Sequence, residues 1–305
     1  MPDDDRITKS PVREIISDFV NEINNKKTQG AKPSVTTIDF RNERKLGIER
    51  QIWFIGSEFL KLRRENGRII SDVYSYENST AKLLDNSIES QNEIKKIINR
   101  KDPEMTATLK KSIKATEQRE PAIITCDGFL INGNRRKVVI DELFDETHED
   151  RFKTIKVVIL PGENDEGGPP TIKEIQKIER RYQLQSDGKS DYSGLDKAIL
   201  MRDDIEINGM SLKEQLIDDP LFASLDKTTL NREIKKHNEK YIEPLRCVDD
   251  YLHMLNRDNQ YDTISTGIGD KEGRWQAFID YYNKVKKNLM DEKNRIKLFG
   301  VEEKD

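Results

Sequence analysis

From residue 127 to residue 137 the chain reads Asp-Gly-Phe-Leu-Ile-Asn-Gly-Asn-Arg-Arg-Lys, and that order suits anion chemistry. Asp127-Gly128 lies between two short apolar runs, a tight-hairpin signal, because glycine accepts the positive φ such a turn needs. The second arm of the hairpin then delivers Gly133, Asn134, Arg135 and Arg136 to a helix-like run over 138–144. Backbone N–H groups at a helix start, flanked by fixed guanidinium cations, make a site for phosphate. Gly133-Asn134-Arg135-Arg136 therefore reads as a phosphate cradle. The same residues also allow a plainer reading, a hairpin followed by a solvated basic helix start.

Other residue constellations are sparser. Asn66-Gly67 marks a turn flanked by Arg63, Arg64 and Arg68. Between residues 227 and 240, Lys227, Arg232, Lys235, Lys236 and Lys240 outnumber Glu233 and Glu239, a candidate phosphate-contacting helix surface, though charged helix faces are commonly just solvated. His148, His237 and His253 have no metal-ligand spacing, and His237 reads as a surface helix residue. The glycine-lysine phosphate loop of nucleoside triphosphatases and the glycine-flanked serine of hydrolases are both missing from the sequence. Trp53 and Trp275 read as core anchors.

The elements that must position these residues follow from periodicity and punctuation. Ser10-Pro11 opens an apolar stripe of Val12, Ile15, Ile16, Phe19, Val20 and Ile23 at helical spacing. A strand is expected at 52–55, helices over 81–99 and 103–117, then the hairpin and the helix after Gly133. Residues 154–160, rich in β-branched side chains and ended by Pro161-Gly162, form the clearest strand. The polar, glycine- and proline-rich loop 162–170 reads as mobile, and the chain beyond it as almost wholly helical. Ser211-Leu212-Lys213-Glu214 is a capping box. With the basic segment from Thr228 to His237 it makes a helix-turn-helix candidate, although the connector between them is longer than the usual short turn. Further helices are expected near 243–257 and from Trp275 to Val285.

Composition narrows the class. The 305 residues suffice for about two domains. Hydrophobic residues make up 34% and charged residues 36%, and the formal net charge of −4 gives no global basic footprint. A nucleic-acid partner would thus be held by local patches. Cys126 and Cys247 form no disulfide framework and fit a reducing cytoplasm. The acidic start Met1-Pro2-Asp3-Asp4-Asp5-Arg6 does not read as a signal peptide, and no apolar run approaches a membrane span.

The order of parts resembles the ParB/sulfiredoxin superfamily, and within it ParB-like proteins whose nucleotide-binding domain precedes a helix-turn-helix. The likeness covers roughly residues 50–245: a segment ending in Asn66-Gly67-Arg68, an amphipathic helix, Pro121 with a strand hairpin, Gly-x-Arg-Arg, a helix, a strand, a Glu-containing helix and the helix-turn-helix. Its best stretch runs from Leu109 to Lys137. The family pattern Gly-Glu-Arg-Arg holds a nucleotide triphosphate, usually CTP; here Gly133, Arg135 and Arg136 match and Asn134 replaces the glutamate. Sulfiredoxins carry their catalytic cysteine at that place, so the asparagine argues against reductase chemistry. The second family motif has a loose counterpart at Glu179-Arg180-Arg181-Tyr182-Gln183, of which only Glu179 carries over. The resemblance implies that Glu179 holds the magnesium of the nucleotide complex and is the candidate catalytic residue, and that Asn66 and Arg68 lie near the nucleotide.

The expected fold is α+β: an N-terminal helical arm (1–40), a small mixed-sheet ParB/sulfiredoxin-like domain (41–165), an all-helical domain with the helix-turn-helix (171–260) and a C-terminal helix (261–305). The expected function is a cytoplasmic, magnesium-dependent CTP- or ATP-binding protein associated with DNA, a homodimer being possible, whose ligand state switches DNA or partner binding. Nucleotide hydrolysis of the ParB type stays open. The alternatives are an enzyme of the same fold performing phosphoryl transfer or DNA cleavage, and an adaptor that has lost the nucleotide.

Overall fold

A computed structural model describes residues 19, 21–22, 25, 34–184, 194–264 and 273–299. The architecture is α+β, a small four-stranded mixed sheet accompanied by many helices. The strands are β1 (Ser34–Thr36), β2 (Arg50–Gly56), β3 (Ala122–Ile124) and β4 (Thr154–Ile159). They lie in the order β1-β2-β4-β3, with β1 and β4 antiparallel to β2 and β3 parallel to β4. The helices used below are α1 (Ile70–Thr80), α2 (Ile88–Lys101), α3 (Pro103–Thr116), α4 (Asn134–Thr147), α5 (Ile172–Leu184), α6 (Gly194–Glu206), α7 (Leu212–Ile217), α8 (Pro220–Ala223), α9 (Lys227–His237), α10 (Glu243–Met254) and α11 (Gly273–Tyr281). Among the described residues, no helix is long and apolar enough to cross a membrane.

The chain forms two compact units, one of Met1–Asn66 with Leu83–Asp191, the other of Gly67–Lys82 with Tyr192–Asp305. These limits differ from the expected domains at residues 1–40, 67–82, 171–191 and 261–305, the last of which join the second unit. Residues 34–40, expected in an N-terminal arm, supply β1 and the buried Ile38 and Phe40 of the first unit. Helix α5, expected in the helical half, buries Ile175 and Ile178 against Ile38, Phe40, Ile123, Ile131, Val158 and Leu160. The loop 162–170 therefore sits inside the first unit, and it is held rather than loose. Arg41 donates to the carbonyls of Gly167 (2.7 Å), Gly168 (3.3 Å) and Pro169 (3.2 Å) while pairing with Glu174 at 2.7 Å. The expected N-terminal helix falls mostly outside the described residues; Phe19 is buried.

Helix α1 belongs to the second unit although the chain enters and leaves it from the first. Beside Ile70 and Val73, its buried face carries hydroxyls and a carboxylate. Ser71 donates through N and Oγ to the fully buried Asp196 at 3.2 and 2.5 Å, Tyr74 donates to Asp203 at 2.7 Å, and Ser75 accepts from Asp262 N at 2.8 Å. Buried polar groups of this kind are tolerated because each finds a partner. Around them Leu195, Ile199, Leu245, Val248, Leu252, Tyr261 and Trp275 make the apolar core. Trp275 is thus the core anchor expected, whereas Trp53 on β2 is half-buried. Arg202, Asp249 and Tyr261 form a second polar cluster, with Arg202 Nη1 donating to Tyr261 Oη at 2.6 Å.

Ser211 and Glu214 form the expected capping box at α7. The connector to α9 contains the single turn α8, and Asp226 caps α9 by accepting from the N–H groups of Thr228 and Thr229. Beyond α9 the helix does not stop. A wide π-type turn, Asn238–Ile242, joins it directly to α10. Pro244 explains the widening: it has no N–H for the carbonyl four residues back, and its ring crowds that carbonyl.

Candidate phosphate-binding site

The site is built from the hairpin onward. Gly128, at φ 89°, closes the turn by donating its N–H to Thr125 O at 3.0 Å, while Phe129 N donates to Thr125 Oγ1 at 3.0 Å. The returning arm pairs only briefly with β3, through Ile124 and Leu130, and also bonds to Lys61. Asn132 Oδ1 then accepts from Ile123 N at 2.8 Å, which fixes the chain as it turns into α4.

Gly133 is the N-cap of α4, at φ 84°, a left-handed conformation that strains any residue with a side chain. A Cβ at this position would also lie 2.8 Å from the Cβ of Ala122 on β3. Glycine is required on both counts, and the close approach seats the helix start against the sheet. The first turn of α4 holds Asn134, Arg135, Arg136 and Lys137 and contains no acidic residue.

Each of these side chains has a defined place. Asn134 is buried, accepts from Arg63 N at 3.2 Å and donates to Leu130 O at 3.4 Å. Its amide is therefore a strut between α4 and the 60–66 loop. Arg135 lies 3.6 Å from Asp102, the residue that caps α3. Arg136 donates to Glu120 O, just before β3. Lys137 is buried and donates to Ser57 O and Oγ at 2.8 Å each and to Asp141 at 2.9 Å. Burial pushes its ammonium below the ordinary lysine value, and Asp141 opposes that shift.

Glu179, on α5, is buried and sits 3.4 Å from Arg63 Nη1. Arg63 is itself 8% exposed at its side chain and contacts Glu65 at 3.5 Å. Its backbone N–H binds Asn134 and its guanidinium meets Glu179, so Arg63 links the helix start to the candidate metal ligand. Periodicity gives Arg63 no weight; its only signal in the sequence is its place beside the Asn66-Gly67 turn. Asn66 is buried, and its N–H donates to Arg63 O at 3.3 Å, which keeps it in this loop. Arg68 falls in the other unit. No group of three or more His, Cys, Asp or Glu side chains that could hold a metal occurs among the described residues. Cys126 and Cys247 form no disulfide.

In the second unit Lys227, Arg232, Lys235, Lys236 and Lys240 lie along α9 and the turn that extends it, and all five are exposed. Lys236 pairs with Glu233 at 2.7 Å and Lys235 approaches Glu239 at 4.0 Å, contacts that cost little to exchange at an exposed surface. His237 is not a surface residue. It is half-buried between the rings of Phe222 and Tyr241, at 5.4 and 5.8 Å, and burial lowers its pKa. Comparisons with protein-family models, with curated proteins and with solved structures gave no match.

Proposed function

We infer that the chain is a ParB-like nucleotide-binding protein associated with DNA, in which a nucleoside triphosphate engages the first unit and changes how the second engages DNA. The observation that carries the reading is the first turn of α4. It is opened by a left-handed glycine and carries two arginines and no carboxylate. The positive end of a helix disfavours cations, so consecutive arginines there suit a ligand of opposite charge. Guanidinium forks at Arg135 and Arg136 match phosphate oxygens in geometry as well as charge.

Glu179 would hold the magnesium of the nucleotide complex, with phosphate oxygens completing its shell; the ion would neutralise the triphosphate and orient it. Asn134 enters as the residue that fixes the loop carrying Arg63, not as a ligand. The basic residues of α9 would meet the DNA backbone, which supplies affinity without sequence readout. Titration calorimetry with CTP and ATP, with and without magnesium, tests the reading. Magnesium-dependent binding that disappears in the Arg135→Ala/Arg136→Ala protein is expected. Wild-type protein that takes up neither nucleotide refutes it.

A further inference from the structure

We propose that Arg63 is a phosphate-binding residue held in reserve by Glu179, so that nucleotide binding exchanges the partner of a buried guanidinium. The proposal rests on the nucleotide-binding reading and adds to it a residue and a switching contact.

Three observations converge on Arg63. Its side chain is more than nine-tenths buried, yet its Nη1 makes no hydrogen bond and meets Glu179 at 3.4 Å, longer than a good charge-assisted bond. Its other carboxylate contact, from Nε to Glu65, is also long at 3.5 Å. Its backbone N–H is bonded to Asn134, the first residue of α4, so it stands against the helix start whose first turn carries Arg135 and Arg136. A buried arginine is worth its desolvation only when it is well paired. This one is paired loosely, with a carboxylate whose charge resembles that of a phosphate oxygen.

The exchange gives Glu179 two successive tasks. Without ligand it neutralises Arg63. With ligand the phosphate takes Arg63, and the carboxylate turns its charge from Arg63 to magnesium. Moving Arg63 onto the phosphate withdraws its positive charge from Glu179, which strengthens the pull of that carboxylate on magnesium, so the binding event orders the two tasks. Magnesium dependence and Arg63 engagement are then coupled through a single side chain.

The test is a titration of inorganic triphosphate, CTP and ATP into wild type, Glu179→Gln and Arg63→Lys, each with magnesium and with chelator. Glutamine leaves Arg63 only the long contact to Glu65 as a competing charge, so Glu179→Gln is expected to bind more tightly than wild type in chelator and to lose the gain that magnesium gives. Arg63→Lys, which keeps the charge and loses the fork, is expected to bind about tenfold or more weakly. Thermal midpoints without ligand check that both variants are folded. Wild-type binding with unchanged affinities in both variants overturns the proposal and leaves the nucleotide reading standing. No wild-type binding to any of the three ligands removes the reading itself. Should either variant fail to fold, a crystal structure of wild type with nucleotide decides. Arg63 on a phosphate supports the exchange, and Arg63 still on Glu179 without a phosphate contact overturns it.

Discussion

Replacing Gly133 with alanine should unfold the first unit at markedly lower urea, and the structure separates the effect into two parts. The left-handed backbone, at φ 84°, costs alanine about 1 kcal/mol. The added methyl would stand 2.8 Å from Ala122 Cβ, far inside van der Waals contact, and relieving it by shifting α4 or β3 costs about 1–3 kcal/mol. The expected loss is therefore about 2–4 kcal/mol. Gly47 supplies the control: it has φ 69° in the same unit and nothing lies within 4 Å of where an alanine methyl would stand, so Gly47→Ala should cost only the backbone share, about 1 kcal/mol. The chain has two tryptophans, Trp53 in the first unit and Trp275 in the second, so a Trp275→Phe background leaves Trp53 fluorescence as a reporter of the first unit alone. Adding Ala122→Gly should recover the clash share, giving a favourable coupling of about 1–3 kcal/mol in the double-mutant cycle. Equal urea midpoints for Gly133→Ala and Gly47→Ala, or no recovery by Ala122→Gly, would refute the close-approach argument.

Lys137 gives the unit a pH dependence. Its folded-state pKa lies below the ordinary 10.5 because of burial, so on rising pH the folded chain loses this proton before the unfolded chain does. The unfolded state then binds more protons, and stability rises across that window. Urea midpoints of wild type relative to Lys137→Met should improve as pH rises toward the ordinary lysine value; parallel profiles would exclude the effect. Arg41→Ala removes the guanidinium that holds the carbonyls of residues 167–169, so a glutamate-specific protease should cut faster after the exposed Glu163 and Glu166. An unchanged cleavage rate would show that the loop is held by other means. If α9 contacts DNA phosphates, Lys235→Gln/Lys236→Gln should lower the slope of log affinity against log salt by about 2 in fluorescence anisotropy, alike for different sequences. A slope equal to wild type would remove these lysines from the interface.

The parts of this fold that local chemistry dictates were legible in the sequence. Asp127-Gly128 marked the turn, Gly133 the start of α4, Ser211 and Glu214 the capping box, and the β-branched run at 154–160 the strand β4. Helix α1 was not legible because Ser71, Ser75 and Glu77 share its buried face with only Ile70 and Val73, and hydrophobic periodicity does not register polar residues. Its polar partners lie far along the chain, at Asp196, Asp203 and Asp262. The Asn134 position was visible as a departure from a phosphate motif, but its inward orientation depends on Arg63 N and Leu130 O. Arg63 itself was one of three arginines beside a turn, with nothing local to single it out. Pro244 was plain to see, yet the continuous helix around it was not, since a proline usually argues for a break.

Arg136→Gln distinguishes a structural reason for the arginines of α4 from a binding reason. In the folded chain Arg136 is half-buried and ties the helix start to Glu120 O. Removing that bond costs about 1 kcal/mol. Removing a cation from the positive end of the helix returns about 0.3–1 kcal/mol, so the two nearly cancel. Urea unfolding of Arg136→Gln should thus stay within about 1 kcal/mol of wild type. Nucleotide affinity should fall about tenfold or more, because a neutral amide cannot replace a guanidinium on phosphate. A structural role predicts the opposite pattern, a clear loss of stability with affinity retained. Measuring both quantities on the same protein decides between them, because the bond to Glu120 bears on stability alone and a phosphate contact on affinity.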